Sequence, residues 1–185
     1  MTTRKIIKRL LGSGPSSHEI LRKIRLFATD VDGVLTDAGM YYSESGDEWK
    51  KFNTRDGMGI KLLQKAGLIT AIVTQERTRL VARRAEKLAI PELHQGVMDK
   101  LAVIRDMAER HGIALRQVAY IGDDVNDIEA LKAVGLSAAP ADGLPQVLEV
   151  VDYVCRLKGG EGAVRELAEM ILQSRSEEKK TARRR

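Results

Sequence analysis

The sequence is poor in several residue types, and each shortage excludes a class of protein. It contains a single cysteine, Cys155, so no internal disulfide can form and a reducing compartment is favoured. Aromatic residues make up only 4% of the chain, which predicts an aliphatic core and leaves few side chains on which nucleic-acid bases could stack. No segment approaches the roughly 20 apolar residues that span a bilayer, and residues 1–11 lack the long apolar region of a signal peptide. We therefore expect a cytoplasmic protein.

Positive charge is concentrated at one end of the chain. The formal net charge is +5, and in residues 177–185 lysines and arginines outnumber glutamates. The rest of the sequence lacks a matching basic stripe, which favours a solvated tail over a nucleic-acid-binding arm. A mildly basic protein also suits a small anionic substrate. We expect neither nucleic acid nor a membrane as a partner.

Short apolar runs alternate with helical patterns along the chain. Strands are predicted near residues 24–29, 68–74, 118–121, 136–139 and 153–155, and helices near 80–88, 101–111 and 164–172. This alternation predicts an α/β fold with a doubly wound, Rossmann-like parallel sheet. We place a single domain at residues 24–174, between an N-terminal extension and linker at 1–23 and a charged, disordered tail at 175–185. A small β-hairpin is predicted at about 39–53, overhanging the mouth of the site.

Two carboxylates follow the first predicted strand. Asp30 and Asp32 are separated by one residue, and Gly33 comes directly after them. A buried strand that ends in this way projects acid groups into the crevice where open α/β sheets bind ligands. The spacing suits a nucleophile or metal ligand beside a residue that handles protons. It predicts a phosphoryl-transfer site.

Other polar residues stand at the ends of later elements and converge on the same crevice. Thr74 ends the second predicted strand, Lys100 begins a predicted helix, and Asp123 follows the third strand, with Asp124 and Asp127 close behind. Taken singly, Thr74 is more often a strand-end residue, Lys100 a surface residue, and Asp124 or Asp127 a helix cap. Their order along the chain, each at the end of an element, is the stronger signal.

Each of these residues has a defined place in phosphoryl transfer. Asp30 is the candidate nucleophile and Asp32 the candidate general acid and base. Mg²⁺ prefers oxygen ligands, and we assign it to Asp30, Asp123 and the carbonyl group of Asp32. Lys100 would offset negative charge on the nucleophile and the phosphate, and Thr74 would donate a hydrogen bond to a phosphate oxygen.

With these motifs the chain resembles the haloacid-dehalogenase-superfamily phosphatases. Asp30–Val34 matches their first motif, Thr74 the second, Lys100 the third and Gly122–Asp124 the fourth. More narrowly, residues 24–172 resemble the branch that hydrolyses 3-deoxy-D-manno-octulosonate 8-phosphate. The resemblance implies a substrate that is a phosphorylated sugar acid, a place in lipopolysaccharide biosynthesis, and a homotetramer without a cap domain. It also implies substrate contacts from Arg55, Asp56, Gly160 and Arg165, across a subunit boundary for the last two.

Two positions depart from that branch. Gln75 follows Thr74 where the family usually has glycine, and Glu76 stands where the octulosonate enzymes commonly carry arginine. With Arg84 and Lys87, Glu76 looks more like relatives that act on nine-carbon 9-phosphates such as 2-keto-3-deoxynononate 9-phosphate. Glu76 is also explained as an exposed first-turn helix residue. We favour the eight-carbon substrate on family frequency and assign Glu76, Arg84 and Lys87 to substrate binding.

A different functional class shares some of these features. Receiver domains of signalling proteins also combine clustered aspartates, a threonine, a lysine and Mg²⁺ on a doubly wound sheet. Their phospho-accepting aspartate lies at a later strand, but the second apolar run here ends in Thr74. A stable phospho-switch would also have no use for a general acid at Asp32. The phosphatase interpretation is therefore preferred.

Overall fold

A six-stranded parallel sheet forms the centre of the computed structural model. The structure describes the backbone of residues 17–182 and the side chains of residues 19–176. The strands are β1 (Leu26–Thr29), β4 (Ile69–Val73), β5 (Glu92–His94), β6 (Val118–Ile121), β7 (Leu136–Ala139) and β8 (Tyr153–Val154), and a hairpin after β1 adds β2 (Tyr41–Tyr42) and β3 (Glu48–Trp49). The order across the sheet is β5-β4-β1-β6-β7-β8. The predicted doubly wound fold with a hairpin after the first strand is confirmed.

Helices cover both faces of the sheet. They are α1 (Ser17–Lys23), α2 (Thr54–Lys65), α3 (Arg79–Leu88), α4 (Lys100–Arg110), α5 (Ile128–Ala133), α6 (Pro145–Val150) and α7 (Ala163–Ala182). Side chains of α1, α2, α3 and α7 pack in one core, and those of α4, α5 and α6 pack in the other. On β1, Phe27 faces the first core while Leu26 and Ala28 face the second. Burial of both faces explains why these strands are apolar runs rather than alternating patterns.

The position of β1 in the sheet fixes the place of the site. β1 pairs with β4 on one side and with β6 on the other. The strands that follow β1 are therefore added on one side of it and then on the other, which makes the carboxyl end of β1 a topological switch point. Ligands bind outside the carboxyl ends of the strands at such a point. The loops that follow β1, β4 and β6 carry Asp30, Thr74 and Asp123.

Some elements differ from the sequence-based expectation. β5 and α2 were not predicted, and α2 contains two buried glycines that weaken its helical signal. A Cβ on Gly57 would lie 2.5 Å from Arg84 Nη2, and one on Gly59 would lie 3.0 Å from the Cα of Arg165. These glycines let α2 pack closely against α3 and α7.

The chain ends also differ from the predicted boundaries. α1 lies within the predicted linker, and its Leu21 is buried in the core. α7 continues through Ala182 into the predicted tail, where Arg175 Nη1 donates to the carbonyl of Ile24 at 2.7 Å. The remainder of the N-terminal extension, residues 1–16, and of the tail, residues 183–185, lies outside the described residues. No helix in the described part of the chain is long and apolar enough to cross a membrane.

Candidate active site

Asp30 sits at the carboxyl end of β1 and is nearly buried, with 5% of its surface exposed. Lys100 Nζ, at the first residue of α4, is 2.8 Å from Asp30 Oδ2. Burial and the neighbouring Asp127 carboxylate raise the pKa of Asp30 to about 6, although Lys100 opposes that shift. Burial lowers the pKa of Lys100, but the carboxylates of Asp30 and Asp127 outweigh it and leave the pKa raised. Lys100 is therefore a fully charged partner of Asp30.

Asp127 organises the surrounding loops. Its Oδ1 accepts hydrogen bonds from Lys100 Nζ at 2.6 Å and from the hydroxyl of Tyr120. Its Oδ2 accepts from the backbone N–H groups of Asp123 and Asp124 at 3.0 and 3.1 Å. With four donors, a fully buried carboxylate satisfies its hydrogen-bonding capacity. Asp127 thus holds Lys100 and the backbone of Asp123 and Asp124 in place, and its supporting role in catalysis stays a prediction.

Asp123 stands beside Asp30 across the switch point. A Cβ on Gly33, whose φ is +79°, would lie 1.9 Å from Asp123 Oδ2, so only glycine lets the loop after β1 come this close. Burial, and then repulsion from Asp30, raise the pKa of Asp123 to about 8. These effects disfavour two adjacent carboxylates in the absence of a cation.

The carboxylates are arranged to hold a metal ion. One oxygen each of Asp30, Asp123 and Asp127 lies within 4.8 Å of the others. Asp30 Oδ1 and Asp123 Oδ1 are buried and have no hydrogen-bond partner among the described residues, whereas both oxygens of Asp127 already accept hydrogen bonds. Buried unpaired carboxylate oxygens are costly unless a cation binds them. Asp30 and Asp123 therefore fit the predicted metal ligands, and Asp127 fits a residue that holds them in place.

Asp30 borders an open cleft of about 540 Å³. It is lined by Asp30, Asp32, Thr74, Gln75, Glu76, Arg77, Asp124 and Asn126. Thr74 is buried at the end of β4, and Gln75 Oε1 accepts a hydrogen bond from Asn126 Nδ2 at 3.0 Å. Asp124 lines the cleft, and its carboxylate also accepts a hydrogen bond from the N–H of Val125. The same residue therefore caps the following turn and borders the site.

Glu76 reaches the same cleft and has a cationic partner that sequence reasoning missed. Lys50, directly after β3, places its Nζ 2.7 Å from Asp32 Oδ1 and in contact with Glu76 Oε2. The only available sequence signal was its place at the end of the predicted overhanging hairpin. Tyr120 was missed as well, because it lies within an apolar strand.

The other predicted substrate-binding residues lie away from this cleft. Arg55 and Arg165 line a second cleft of about 130 Å³ that shares no lining residue with the first. Arg165 pairs there with Glu169 at 2.8 Å. Lys87 is exposed on α3 and does not line the first cleft. Substrate contact by these three residues stays a prediction.

Three further residues of that set have structural partners. Asp56 is fully buried, and its Oδ1 accepts from the backbone N–H of Arg165 near the start of α7. Arg84 donates to the carbonyl of Asn53 at 2.8 Å and lies over the ring of Phe52. The N–H of Gly160 donates to the carbonyl of Val34 at 3.0 Å, which ties the glycine-rich residues 159–162 to the loop after β1.

Comparison with known proteins agrees with this geometry. The model of the haloacid dehalogenase-like hydrolase family matches residues 90–167. The chain is 43% identical over 162 residues to 3-deoxy-D-manno-octulosonate 8-phosphate phosphatase KdsC of Escherichia coli (strain K12), covering 86% of each chain. The chain belongs to the haloacid dehalogenase-like phosphatases.

Solved structures of phosphatases in this family have the same fold. The 3-deoxy-D-manno-octulosonate 8-phosphate phosphatase of Moraxella catarrhalis, in complex with magnesium, phosphate and KDO, superimposes with a TM-score of 0.84 at 39% identity, covering 86% of this chain and 91% of its own. The cobalt-bound phosphatase of Haemophilus influenzae gives a TM-score of 0.82 at 39% identity, covering 85% and 92%. The family assignment drawn from the motifs is thereby confirmed.

Proposed function

We propose that the protein is a Mg²⁺-dependent phosphomonoesterase that hydrolyses 3-deoxy-D-manno-octulosonate 8-phosphate through an aspartyl-phosphate. The observation that best supports this proposal is the pair of buried, unpaired oxygens on Asp30 and Asp123 beside the Lys100 ammonium group. Two carboxylates and one ammonium group at a switch point suit phosphoryl transfer, whose demands are positioning and charge neutralisation. The names of the relatives supply the substrate, and the magnesium in the Moraxella catarrhalis complex supports the choice of metal.

Asp30 is the nucleophile in this mechanism. Its carboxylate oxygen forms a bond to phosphorus as the phosphorus–oxygen bond of the ester breaks. Asp32 gives a proton to the departing sugar oxygen, and then accepts one from the water that attacks the aspartyl-phosphate and releases phosphate. Lys100 and the hydroxyl of Thr74 stabilise charge on the phosphoryl oxygens. Bound Mg²⁺, held by Asp30, Asp123 and the carbonyl of Asp32, supplies further neutralisation of that charge.

A nine-carbon 9-phosphate, such as 2-keto-3-deoxynononate 9-phosphate, is the second candidate substrate. It is favoured by the position of Glu76, whose carboxylate lines the cleft where the octulosonate enzymes commonly carry a cation. An anion there disfavours a substrate carboxylate nearby and suits hydroxyl groups. Because Lys50 neutralises part of this charge, the eight-carbon substrate stays the first choice.

The assembly we propose is a cytoplasmic homotetramer that acts in lipopolysaccharide biosynthesis. The hairpin exposes Tyr41, Tyr42 and Trp49, with 49%, 70% and 54% of their surfaces accessible. Three exposed aromatic side chains on one small hairpin support a protein–protein contact there. Sedimentation equilibrium measures the oligomeric state, and a monomer at micromolar concentration would contradict the tetramer.

The specificity constants for the two sugar-acid phosphates decide the substrate. We expect kcat/KM in Mg²⁺ to be higher for octulosonate 8-phosphate than for nononate 9-phosphate, and Glu76→Arg to increase that preference. A higher value for the nine-carbon substrate would reverse the assignment. Release of no more than one phosphate per protein, with one aspartate left phosphorylated, would instead indicate a receiver-type switch.

A further inference from the structure

Lys50 links the hairpin to two loops of the active site. Its side chain has no exposed surface, although the side chains of Asp32 and Glu76, whose carboxylates it contacts, are 33% and 39% exposed. Asp32 belongs to the loop after β1, and Glu76 to the loop after β4. The ammonium group therefore bridges two separate walls of the cleft.

Lys50 is the main restraint on the Asp32 carboxylate. The Nζ of Lys50 is 2.7 Å from Asp32 Oδ1. The hydroxyl of Thr36 reaches the same oxygen only at 3.5 Å, a distance at which a hydrogen bond contributes little. No donor contacts Asp32 Oδ2 among the residues whose side chains are described. Lys50 thus fixes one oxygen and leaves the other for the substrate.

Glu76 holds Lys50 in this position. The hairpin consists of two strands of two residues each, and such a hairpin is marginally stable by itself. A flexible lysine side chain following it loses considerable conformational entropy when it is fixed. Contact with two carboxylates offsets that loss, because hydrogen bonds between charged groups are the stronger ones. Removing the Glu76 charge would therefore loosen Lys50 and, through it, Asp32.

We propose that Lys50 is a positioning residue for Asp32 and that Glu76 acts on catalysis through Lys50. A general acid must lie within hydrogen-bond reach of the departing oxygen, so holding Asp32 Oδ1 directs Oδ2 toward that oxygen. This inference rests on the proposed phosphatase function, and it adds that residue 76 affects the rate as well as the choice of substrate.

The dependence of the rate on the leaving group tests this role. An alkyl phosphate such as octulosonate 8-phosphate needs a proton on its leaving oxygen, whereas 4-nitrophenyl phosphate releases a stable phenolate that needs little assistance. For Lys50→Met we expect kcat/KM to fall by about 10- to 100-fold for the alkyl ester, as part of the usual contribution of a general acid is lost. For the aryl ester we expect a fall of less than about threefold.

The neighbouring lysine provides a matched control. Lys51 is the next residue along the chain, but its Nζ pairs with Asp37 Oδ2 at 2.7 Å and not with Asp32 or Glu76. We expect Lys51→Met to leave the ratio of the two kcat/KM values unchanged and Lys50→Arg to restore most of the alkyl activity. Glu76→Gln should lower the alkyl value less than Lys50→Met does, and should add nothing when the two are combined.

The following results would contradict the proposal. Equal losses on both esters, or the same ratio for Lys50→Met as for Lys51→Met, would reduce Lys50 to a structural contact of the hairpin. If the effects of the substitutions at positions 50 and 76 on kcat/KM were additive, Glu76 would not act through Lys50. Wild-type protein that hydrolyses neither ester in Mg²⁺ would refute the phosphatase function itself, and this is seen before any variant is compared.

Discussion

Replacing Tyr120 with phenylalanine tests the support beneath the catalytic carboxylates. Tyr120 is completely buried on β6, and its hydroxyl donates to Asp127 Oδ1. Burial, followed by the charge of Asp127, raises the pKa of Tyr120, so the phenol stays a neutral donor. Phenylalanine keeps the ring in place and removes only this hydrogen bond.

The size of the effect follows from the partners that remain. A hydrogen bond to a charged group contributes about 1.5–3 kcal/mol. Asp127 Oδ1 keeps Lys100 as a donor in the variant, which favours a loss of about 2 kcal/mol. In a domain of this size, such a loss lowers Tm by roughly 4–8 °C. We expect kcat to change less than about threefold, because Asp127 keeps three of its four donors.

Thermal unfolding followed by circular dichroism, with phosphate release measured on the same samples, checks this prediction. Tyr42→Phe is the control, since in the single chain it removes a hydroxyl from a side chain that is 70% exposed, and sedimentation of the same sample checks that the oligomeric state is unchanged. A Tyr120→Phe variant as stable as this control would show that the buried hydrogen bond contributes nothing. A large loss of kcat with an unchanged Tm would give the hydroxyl a chemical role that the geometry does not assign to it.

Three other substitutions test the nucleophile, an ion-pair cluster and a backbone contact. Asp30→Asn should abolish turnover because an amide does not form the acyl-phosphate, and phosphate release measures it. Arg110 and two histidines lower the pKa of Glu92 to about 2, so its contribution to stability is complete above its unfolded value of 4.5 and is lost as the pH falls toward 2. In urea unfolding, Glu92→Gln should be less stable than the wild type at pH 7, and the difference should shrink at pH 3. A Cβ on Gly159 would lie 1.9 Å from the carbonyl oxygen of Gly33, so Gly159→Ala should displace the catalytic loop and lower kcat by roughly 10- to 100-fold.

Each of these three predictions has a contrary result. Full turnover by Asp30→Asn would remove Asp30 as the nucleophile. A Glu92→Gln variant that differs from the wild type by the same amount at pH 7 and pH 3 would contradict the assigned pKa shift. Wild-type kcat in Gly159→Ala would mean that the loop after β1 tolerates movement of its backbone.

The sequence predicted the sheet well because of where its apolar residues lie. Strands such as β1 and β6 are buried on both faces, so each is a largely apolar run. Asp30 follows β1 directly, and Asp123 follows β6 after Gly122. β5 escaped prediction since only Leu93 of its three residues is apolar, and all three are only partly buried at the sheet edge. The candidate catalytic residues could be selected from the sequence for a related reason, because Asp30, Thr74 and Lys100 each stand at the end of an element.

The substrate-binding predictions depended on long-range contacts that no local pattern encodes. Asp56 lies far along the chain from the start of α7, yet its carboxylate accepts from a backbone N–H there. Lys50 acquires its place only when the hairpin meets the loops after β1 and β4. Glu76 alone of that predicted set reaches the catalytic cleft. Burial and strand periodicity report on a residue's own element, and they do not indicate which distant element it will contact.

The central place of β1 also orders events during synthesis and folding. β1 and β4 are joined through α2, so they can pair as soon as the first part of the chain has left the ribosome. β6 is added much later, and only its docking beside β1 brings Asp123 to Asp30. The electrostatic repulsion between these acids is therefore absent until β6 docks beside β1. A divalent cation that binds only the finished site would favour this last docking step, and would act as a folding ligand before it acts in any reaction.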